Sequence, residues 1–125
     1  MSTTITNPRT YKPGSDVTCQ ATAAVTSRHL VAISGDRAAR GNIAVAPATA
    51  GGRIFGVAVT DADTDHLVTV ARDGIVLVTA GATVNAGDDV EVGANATVIP
   101  NTDGVVIGQA VATATAGSDA EIALR

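Results

Sequence analysis

From residue 16 onward, apolar residues come in short runs separated by polar turns that contain glycine. Apolar and polar positions alternate most cleanly in Asp89–Val92 and Ala120–Leu124, which is the period of a half-buried β-strand. Short strands at this spacing are typical of a compact β-barrel or β-sandwich of antiparallel strands. The pattern predicts strands near Val17–Val25, His29–Ile33, Asn42–Ala46, Ile54–Thr60, Leu67–Ala71, Ile75–Thr79, Asp89–Val92, Thr97–Ile99, Val105–Ala112 and Ala120–Leu124.

Residue usage also favours an all-β fold. Val, Ile and Thr make up 42 of the 125 residues, and β-branched side chains suit a pleated sheet. Only Ser34–Gly41 has the capping residues of a helix, with Ser34 or Asp36 at its start and Gly41 at its end. We expect either a single helical turn or a loop there.

The first fifteen residues differ from the rest of the chain. They are polar, contain two prolines, and carry Arg9 and Lys12 without any acid, whereas residues 16–125 hold six Arg and twelve acids. Proline blocks helix continuation. The sequence therefore predicts an extended basic N-terminal arm, residues 1–15, and one β-domain, residues 16–125. The arm either lies on a partner, with Tyr11 as an apolar contact, or is a disordered tail.

A weak repeat links two parts of the predicted domain. Phe55–Ala62 resembles Ile107–Ala114 at an offset of 52, and the same offset matches Val70-Ala71 to Ile122-Ala123. The matched glycines, Gly56 and Gly108, are informative because glycine inside a strand marks a bulge or a close backbone approach. The repeat predicts two related strand–turn–strand units.

The acidic run Asp61–His66 is the only stretch that suggests a calcium loop. A helix–loop–helix calcium site needs glycine at its sixth position and glutamate at its twelfth. Those positions are His66 and Arg72. We interpret the run as a solvated acidic hairpin tip between two strands.

The sequence contains no recognisable catalytic motif. His29 and His66 are the only imidazoles, and neither belongs to a nucleophile or zinc signature. Cys19 is alone, which excludes an intrachain disulfide and favours a small buried apolar side chain. We therefore expect a non-enzymatic protein with no catalytic residue, no cofactor and no metal.

Charge and composition exclude several classes of partner. The net charge of −4 and the two aromatic residues, Tyr11 and Phe55, argue against nucleic-acid binding and against stacking on sugars. No apolar stretch is long enough to cross a bilayer, and the N-terminus lacks a hydrophobic signal region. We expect synthesis in the cytosol and no membrane partner.

Small side chains dominate the apolar set. The chain has 24 Ala and 17 Val but only 4 Leu. Each small side chain buries little area, so a chain of this kind gains from association. The composition thus favours a structural protein that works as an oligomer.

Several stretches follow one another in an order and spacing that are typical of a known family: Pro13–Thr18, Ala24-Val25, Phe55–Ala62, Val68–Val76, Ala86–Val90, Ile107–Ala110 and Gly117–Leu124. Through them the chain resembles the capsid cement or head-decoration proteins of tailed bacteriophages. Two features depart from the family pattern: residues 34–52 look like an insertion between strands, and Asp61–His66 is more acidic than the usual turn.

The resemblance implies a homotrimer that binds the major capsid protein on the outer surface of a phage head and braces the shell. It implies a virion protein made in the cytoplasm of the host bacterium. We expect the arm to contact the shell or a neighbouring copy through Arg9, Tyr11, Lys12 and Pro13. The alternative is another virion module, such as a head fibre or a tail-associated receptor-binding β-domain.

Overall fold

The computed structural model describes residues 15–125, which contain ten β-strands and one short 3₁₀ turn. The all-β prediction is confirmed. Ser34–Gly41 contains no helix and is a loop. The strands are β1 (Asp16–Ala21), β2 (Leu30–Ile33), β3 (Ile43–Pro47), β4 (Gly56–Ala58), β5 (Leu67–Ala71), β6 (Ile75–Thr79), β7 (Asp89–Val92), β8 (Val98–Pro100), β9 (Gly108–Ala110) and β10 (Asp119–Leu124), and the 3₁₀ turn is Ala94–Ala96.

The first five strands close into a barrel in the order β1-β3-β2-β4-β5. Alternate residues of β1 point inward, as its burial shows, and Val17, Cys19 and Ala21 are buried. Valines of the facing strands complete this core, among them Val68 and Val70 of β5. The barrel closes through a parallel pair, in which Cys19 of β1 lies opposite Ile43 of β3. Among the described residues, the other eight strand pairs are antiparallel, as predicted.

The last five strands form a sheet in the order β6-β10-β9-β7-β8. This is the barrel order with one junction opened, because β6 corresponds to β1 and β8 to β3. Where β1 and β3 pair over three residues, the second half has one isolated parallel bridge between Ala80 and Val98. Its core holds Val78, Val90 and Ile122, all fully buried.

Hydrogen bonds show that the two halves repeat one another throughout. The Ala21 amide donates to the His66 carbonyl at 2.9 Å, and the Ala80 amide donates to the Ser118 carbonyl at 2.8 Å. The bridge between Val25 and Ala62 recurs 59 and 52 positions later between Val84 and Ala114. The predicted repeat is therefore confirmed and extends over all five strands of each half.

The repeat also locates an insertion. The Ser34 amide donates to Ala44, and its counterpart Gly93 donates to Thr97. The numbering offset between the two halves is therefore 59 at Ser34. It is 52 at Phe55, because the hydrogen bond from the Phe55 amide to the Val31 carbonyl recurs from the Ile107 amide to the Val90 carbonyl. The first half is therefore seven residues longer than the second between Ser34 and Phe55, an interval that overlaps the stretch 34–52 that departs from the family pattern.

Two loops and a shared core join the halves. The Gly51 amide of the first half donates to the Val92 carbonyl of β7 at 2.9 Å, and the Thr79 amide of β6 donates to the Arg28 carbonyl at 2.9 Å. Leu30 and Val57 belong to the barrel strands β2 and β4, yet they pack in the buried cluster of the second half. The chain is thus one packed body built from two related halves.

Some strand ends differ from the prediction. β1 stops at Ala21 and does not run to Val25, because the chain turns there and Val25 makes only an isolated bridge to Ala62. β4 and β9 are three residues each, shorter than the predicted runs of seven and eight. The predicted runs were longer because apolar residues of the flanking loops extended them. An apolar run in the sequence does not by itself distinguish a strand from a packed loop.

Candidate interaction surface

The acidic run Asp61–His66 lies at the exposed turn between β4 and β5, as predicted. The Asp61 carboxylate accepts a hydrogen bond from the Ser27 amide at 2.7 Å, and the His66 amide donates to the Asp63 backbone carbonyl at 3.0 Å. Within residues 15–125, no group of three His, Cys, Asp or Glu side chains is placed to hold a metal ion. The Asp61 carboxylate therefore joins this turn to the loop that contains Ser27.

Each of the two histidines lies in a loop directly before a barrel strand. His29 precedes β2 and its Nδ1 lies 3.1 Å from the Ser27 carbonyl oxygen, while His66 is exposed before β5. His29 was predicted in a strand, but β2 begins one residue later. These contacts give no pairing of an imidazole with a nucleophilic side chain.

Cys19 lies inside the barrel core and is fully buried. Burial raises the pKa of its thiol to about 11, and the charge of Arg72 opposes this only in part. A thiol needs its thiolate form to act as a nucleophile. Cys19 is therefore a packing residue, as the sequence predicted.

Glu91 is an acidic side chain that the sequence analysis did not single out. It lies on β7 and is only 5% exposed. Its Oε1 accepts hydrogen bonds from the amide and hydroxyl of Thr102, from the Gly104 amide at 3.3 Å and from Asn101 Nδ2 at 3.4 Å. The bond from the Thr102 amide is the main cause that lowers the Glu91 pKa, against the opposing effect of burial. Glu91 holds the loop between β8 and β9.

The most exposed large apolar side chain of the described residues lies on β6. Ile75 is 63% exposed and Leu77 is 43% exposed. Leu77 lies opposite Glu121 of β10. On the other side of Glu121 lies Val111, whose amide donates to the Glu121 carbonyl and whose side chain is 46% exposed. We call Ile75, Leu77 and Val111 the β6 face. Apolar side chains that project from a sheet into solvent suggest a surface that another protein covers.

The predicted arm contacts, Arg9, Tyr11, Lys12 and Pro13, lie outside the described residues. The structure does show where the chain that follows them joins the body. The Ser15 carbonyl accepts the Arg72 amide at 2.7 Å. The Arg72 guanidinium lies 4.3 Å from the Phe55 ring centroid and donates to the Phe55 carbonyl at 3.1 Å. The chain therefore enters the barrel at the connection between the halves, three residues before β6.

Comparison with known proteins identifies the family of this chain. A sequence model described as phage cement protein matches residues 9–125, which includes part of the predicted arm and the whole described body. The chain belongs to the phage cement protein family. The resemblance drawn from the sequence is thus confirmed, and the protein is a structural component of the virion.

A solved structure supports the same conclusion. The N base of the head fibre gp8.5 of bacteriophage phi29 is 26% identical to this chain, with a TM-score of 0.75. The match covers 88% of this chain and 92% of that one. A search of the curated proteins gives no match. The cement-family body and a head-fibre base therefore share one architecture.

No helix within residues 15–125 is long and apolar enough to cross a membrane.

Proposed function

We propose that this cement protein binds as a homotrimer to the outer surface of a phage head, contacts the major capsid protein, and stabilises the shell. The family match over residues 9–125 carries the proposal. The exposed apolar side chains of the β6 face agree with a body that is completed by contact with other chains. A trimer that touches several capsid subunits binds by avidity, because each further contact is intramolecular once the first is made.

Cosedimentation with phage heads that lack the protein tests this proposal. Purified chain should bind expanded heads to saturation and should raise the temperature at which the heads release DNA. Light scattering on the free chain should give three times the mass of one chain. A monomer that neither binds heads nor changes their thermal release would contradict the proposal.

The arm supplies part of the binding in this proposal. Arg9 and Lys12 are cationic and precede an acidic body, and Tyr11 and Pro13 add apolar area. We expect deletion of residues 1–12 to weaken occupancy of heads while the body stays folded. Arg9→Glu should also weaken binding, whereas Arg40→Glu, the same charge change in an exposed loop, should not. Unchanged occupancy after the deletion would reject the role of the arm.

A second candidate is that the chain forms the base of a head fibre. The likeness to the gp8.5 N base favours it, since that protein is a head fibre. This alternative expects a larger fibre protein or host envelope material to bind the chain on intact virions. Pull-down from virions with the tagged chain would distinguish it, because a cement role requires only the capsid.

A further inference from the structure

Strand β6 has an edge that no strand of residues 15–125 covers from Ile75 to Leu77. The Leu124 amide donates to Gly74 at 3.0 Å and the Ala80 amide donates to Ser118 at 2.8 Å, so even-numbered residues of this stretch bond to β10. The backbone groups of Ile75 and Leu77 therefore point away from β10. Thr79, at the end of β6, is already bonded to Arg28.

The equivalent stretch of the first half, Asp16–Thr18, is capped at its end by a side chain. Asn42 Nδ2 donates to the Thr18 carbonyl at 3.4 Å, just before Cys19–Ala21 of β1 pair with Ile43–Val45 of β3. Thr18 corresponds to Leu77 at the offset of 59. The second half is seven residues shorter here, and the 3₁₀ turn Ala94–Ala96 lies where β3 would begin. The shorter loop has no counterpart of Asn42, so within the described residues the Leu77 carbonyl lacks the cap that the Thr18 carbonyl has.

Nothing in the residues of β6 protects this edge. Soluble proteins usually guard an edge strand with charged residues, proline or a bulge. β6 has the sequence Ile-Val-Leu-Val-Thr, without charge or proline, and it bears Ile75 and Leu77. An edge of this kind is a template for another strand, in which backbone hydrogen bonds give the affinity.

We propose that the open edge of β6 binds residues Thr3–Thr6 of a neighbouring copy as an added strand. This inference rests on the proposed homotrimer and names the contact that holds it together. Thr3-Thr4-Ile5-Thr6 is a run of four β-branched residues, the type that suits a strand. A head-to-tail contact from arm to β6 closes into a ring when the rotation is that of a cyclic oligomer.

The position of the arm fits this contact. Ser15 is bonded to Arg72, three residues before Ile75, so each copy carries its arm and its open edge at the same connection. Eight residues lie between Thr6 and Ser15, and the nine Cα-to-Cα steps from one to the other span about 30 Å in an extended chain. This is enough to reach the edge of an adjacent copy around a shared axis.

Three chains test the inference: the full chain, a chain without residues 2–7, and Leu77→Pro. Proline at position 77 removes an amide that faces the open edge and leaves the β6–β10 bonds in place. We expect the full chain to be trimeric and both altered chains to be monomeric by light scattering. Because one altered chain keeps the edge and the other keeps the arm, an equimolar mixture of the two should form a heterodimer.

Hydrogen exchange gives a second readout that does not depend on oligomer mass. In the full chain, exchange of the Leu77 amide should be at least ~10-fold slower than in the chain without residues 2–7. Leu77→Lys should weaken assembly if Leu77→Pro does not fold, as judged by circular dichroism. Leu67→Lys is the matched control, because Leu67 is 47% exposed but lies on β5 of the barrel.

The outcomes separate this inference from the proposed function. A chain without residues 2–7 that stays trimeric, or a Leu77 amide with unchanged exchange, overturns the strand contact alone. A monomeric full chain whose Leu77 amide loses protection on deletion shows that the arm binds its own β6, which also overturns the contact between copies. A full chain that is monomeric and ignores phage heads overturns the proposed function as well.

Discussion

Gly56 and Gly108 occupy the same place in the two halves, each against the backbone of the neighbouring strand. A Cβ at Gly56 would lie well inside contact distance of the Ala71 carbonyl oxygen, and a Cβ at Gly108 would lie 2.5 Å from the Ala123 carbonyl oxygen. The sequence indicated this close approach, because two glycines recur at the same point of an apolar run. Here the backbone contact, and not the conformation of the glycine, excludes a side chain.

We expect Gly56→Ala and Gly108→Ala each to destabilise the fold by about 1–3 kcal/mol, since the added methyl group must displace backbone. Urea denaturation followed by circular dichroism measures the effect. Gly35→Ala is the control, because a Cβ there meets nothing within 4 Å, and its stability should stay within about 0.5 kcal/mol of the wild type. Equal stability of all three variants would contradict the close approach.

Cys19 is expected to resist thiol reagents in the folded protein. Burial raises its pKa to about 11, so almost none of the thiol is ionised at pH 8. Its labelling by a maleimide should follow the unfolded fraction as denaturant is added. Ala116→Cys places a second thiol at an exposed position and should react at once. Rapid labelling of Cys19 in native buffer would show that the barrel core opens.

At the level of elements, the loop between β8 and β9 depends on one carboxylate. The Glu91 pKa is lowered from its usual value of 4.5 by the hydrogen bonds to the Thr102 and Gly104 amides. A group whose pKa is lower in the folded state contributes stability above its unfolded pKa and loses that contribution as the pH falls through the folded value.

We therefore expect Glu91→Gln to be less stable than the wild type at pH 7. The difference between the two should shrink as the pH falls below about 4.5, because the unfolded chain then binds a proton at Glu91 that the folded carboxylate takes up only at lower pH. Thermal melts at pH 3 to 7 measure this. Glu121→Gln removes the same charge from an exposed residue of β10 and should change little. A constant difference across this pH range would mean that the charge of Glu91 does not matter.

The elements were the most predictable part of the molecule. β5, β6 and β7 have the predicted bounds, because each is an apolar run closed by glycine or aspartate turns. In the alternating strand Asp89–Val92 the polar Glu91 would face solvent, yet the loop at Asn101–Gly104 folds over it and supplies amide donors. That loop comes from ten residues further along the chain, so local alternation carries no information about it. The parallel closure of β1 on β3 was missed for the same reason, since side-chain period does not distinguish parallel from antiparallel pairs.

The open edge of β6 shows what an element comparison adds to the sequence. The pattern predicted β6 correctly but gave no reason to separate it from β1. Only the matched hydrogen bonds of the two halves show that one strand has a parallel neighbour and the other has a single bridge. The surface that we propose for assembly is therefore a property of the fold and was invisible in the sequence.

At the scale of the whole molecule, the two halves share a core and are not separate domains. Leu30 of the barrel is fully buried and packs in the cluster that contains Val90 and Ile122 of the second sheet. The ion pair between Arg28 and Asp119 also joins the halves, but its side chains are 54% and 34% exposed, and exposed pairs contribute only about 0–1 kcal/mol. Burial of apolar side chains therefore holds the halves together.

Leu30→Ala should destabilise the whole chain by about 2–5 kcal/mol, because it leaves a cavity in the shared core. The loss of stability should appear in both halves at once, as a single unfolding transition. Fluorescence labels placed in the barrel and in the second sheet should therefore report the same urea midpoint. Leu67→Ala is the matched control, since Leu67 is 47% exposed, and should cost less than about 0.5 kcal/mol. Two separate transitions in the Leu30 variant, with only one of them shifted, would mean that the halves fold independently and that a cement body could lose one half without the other.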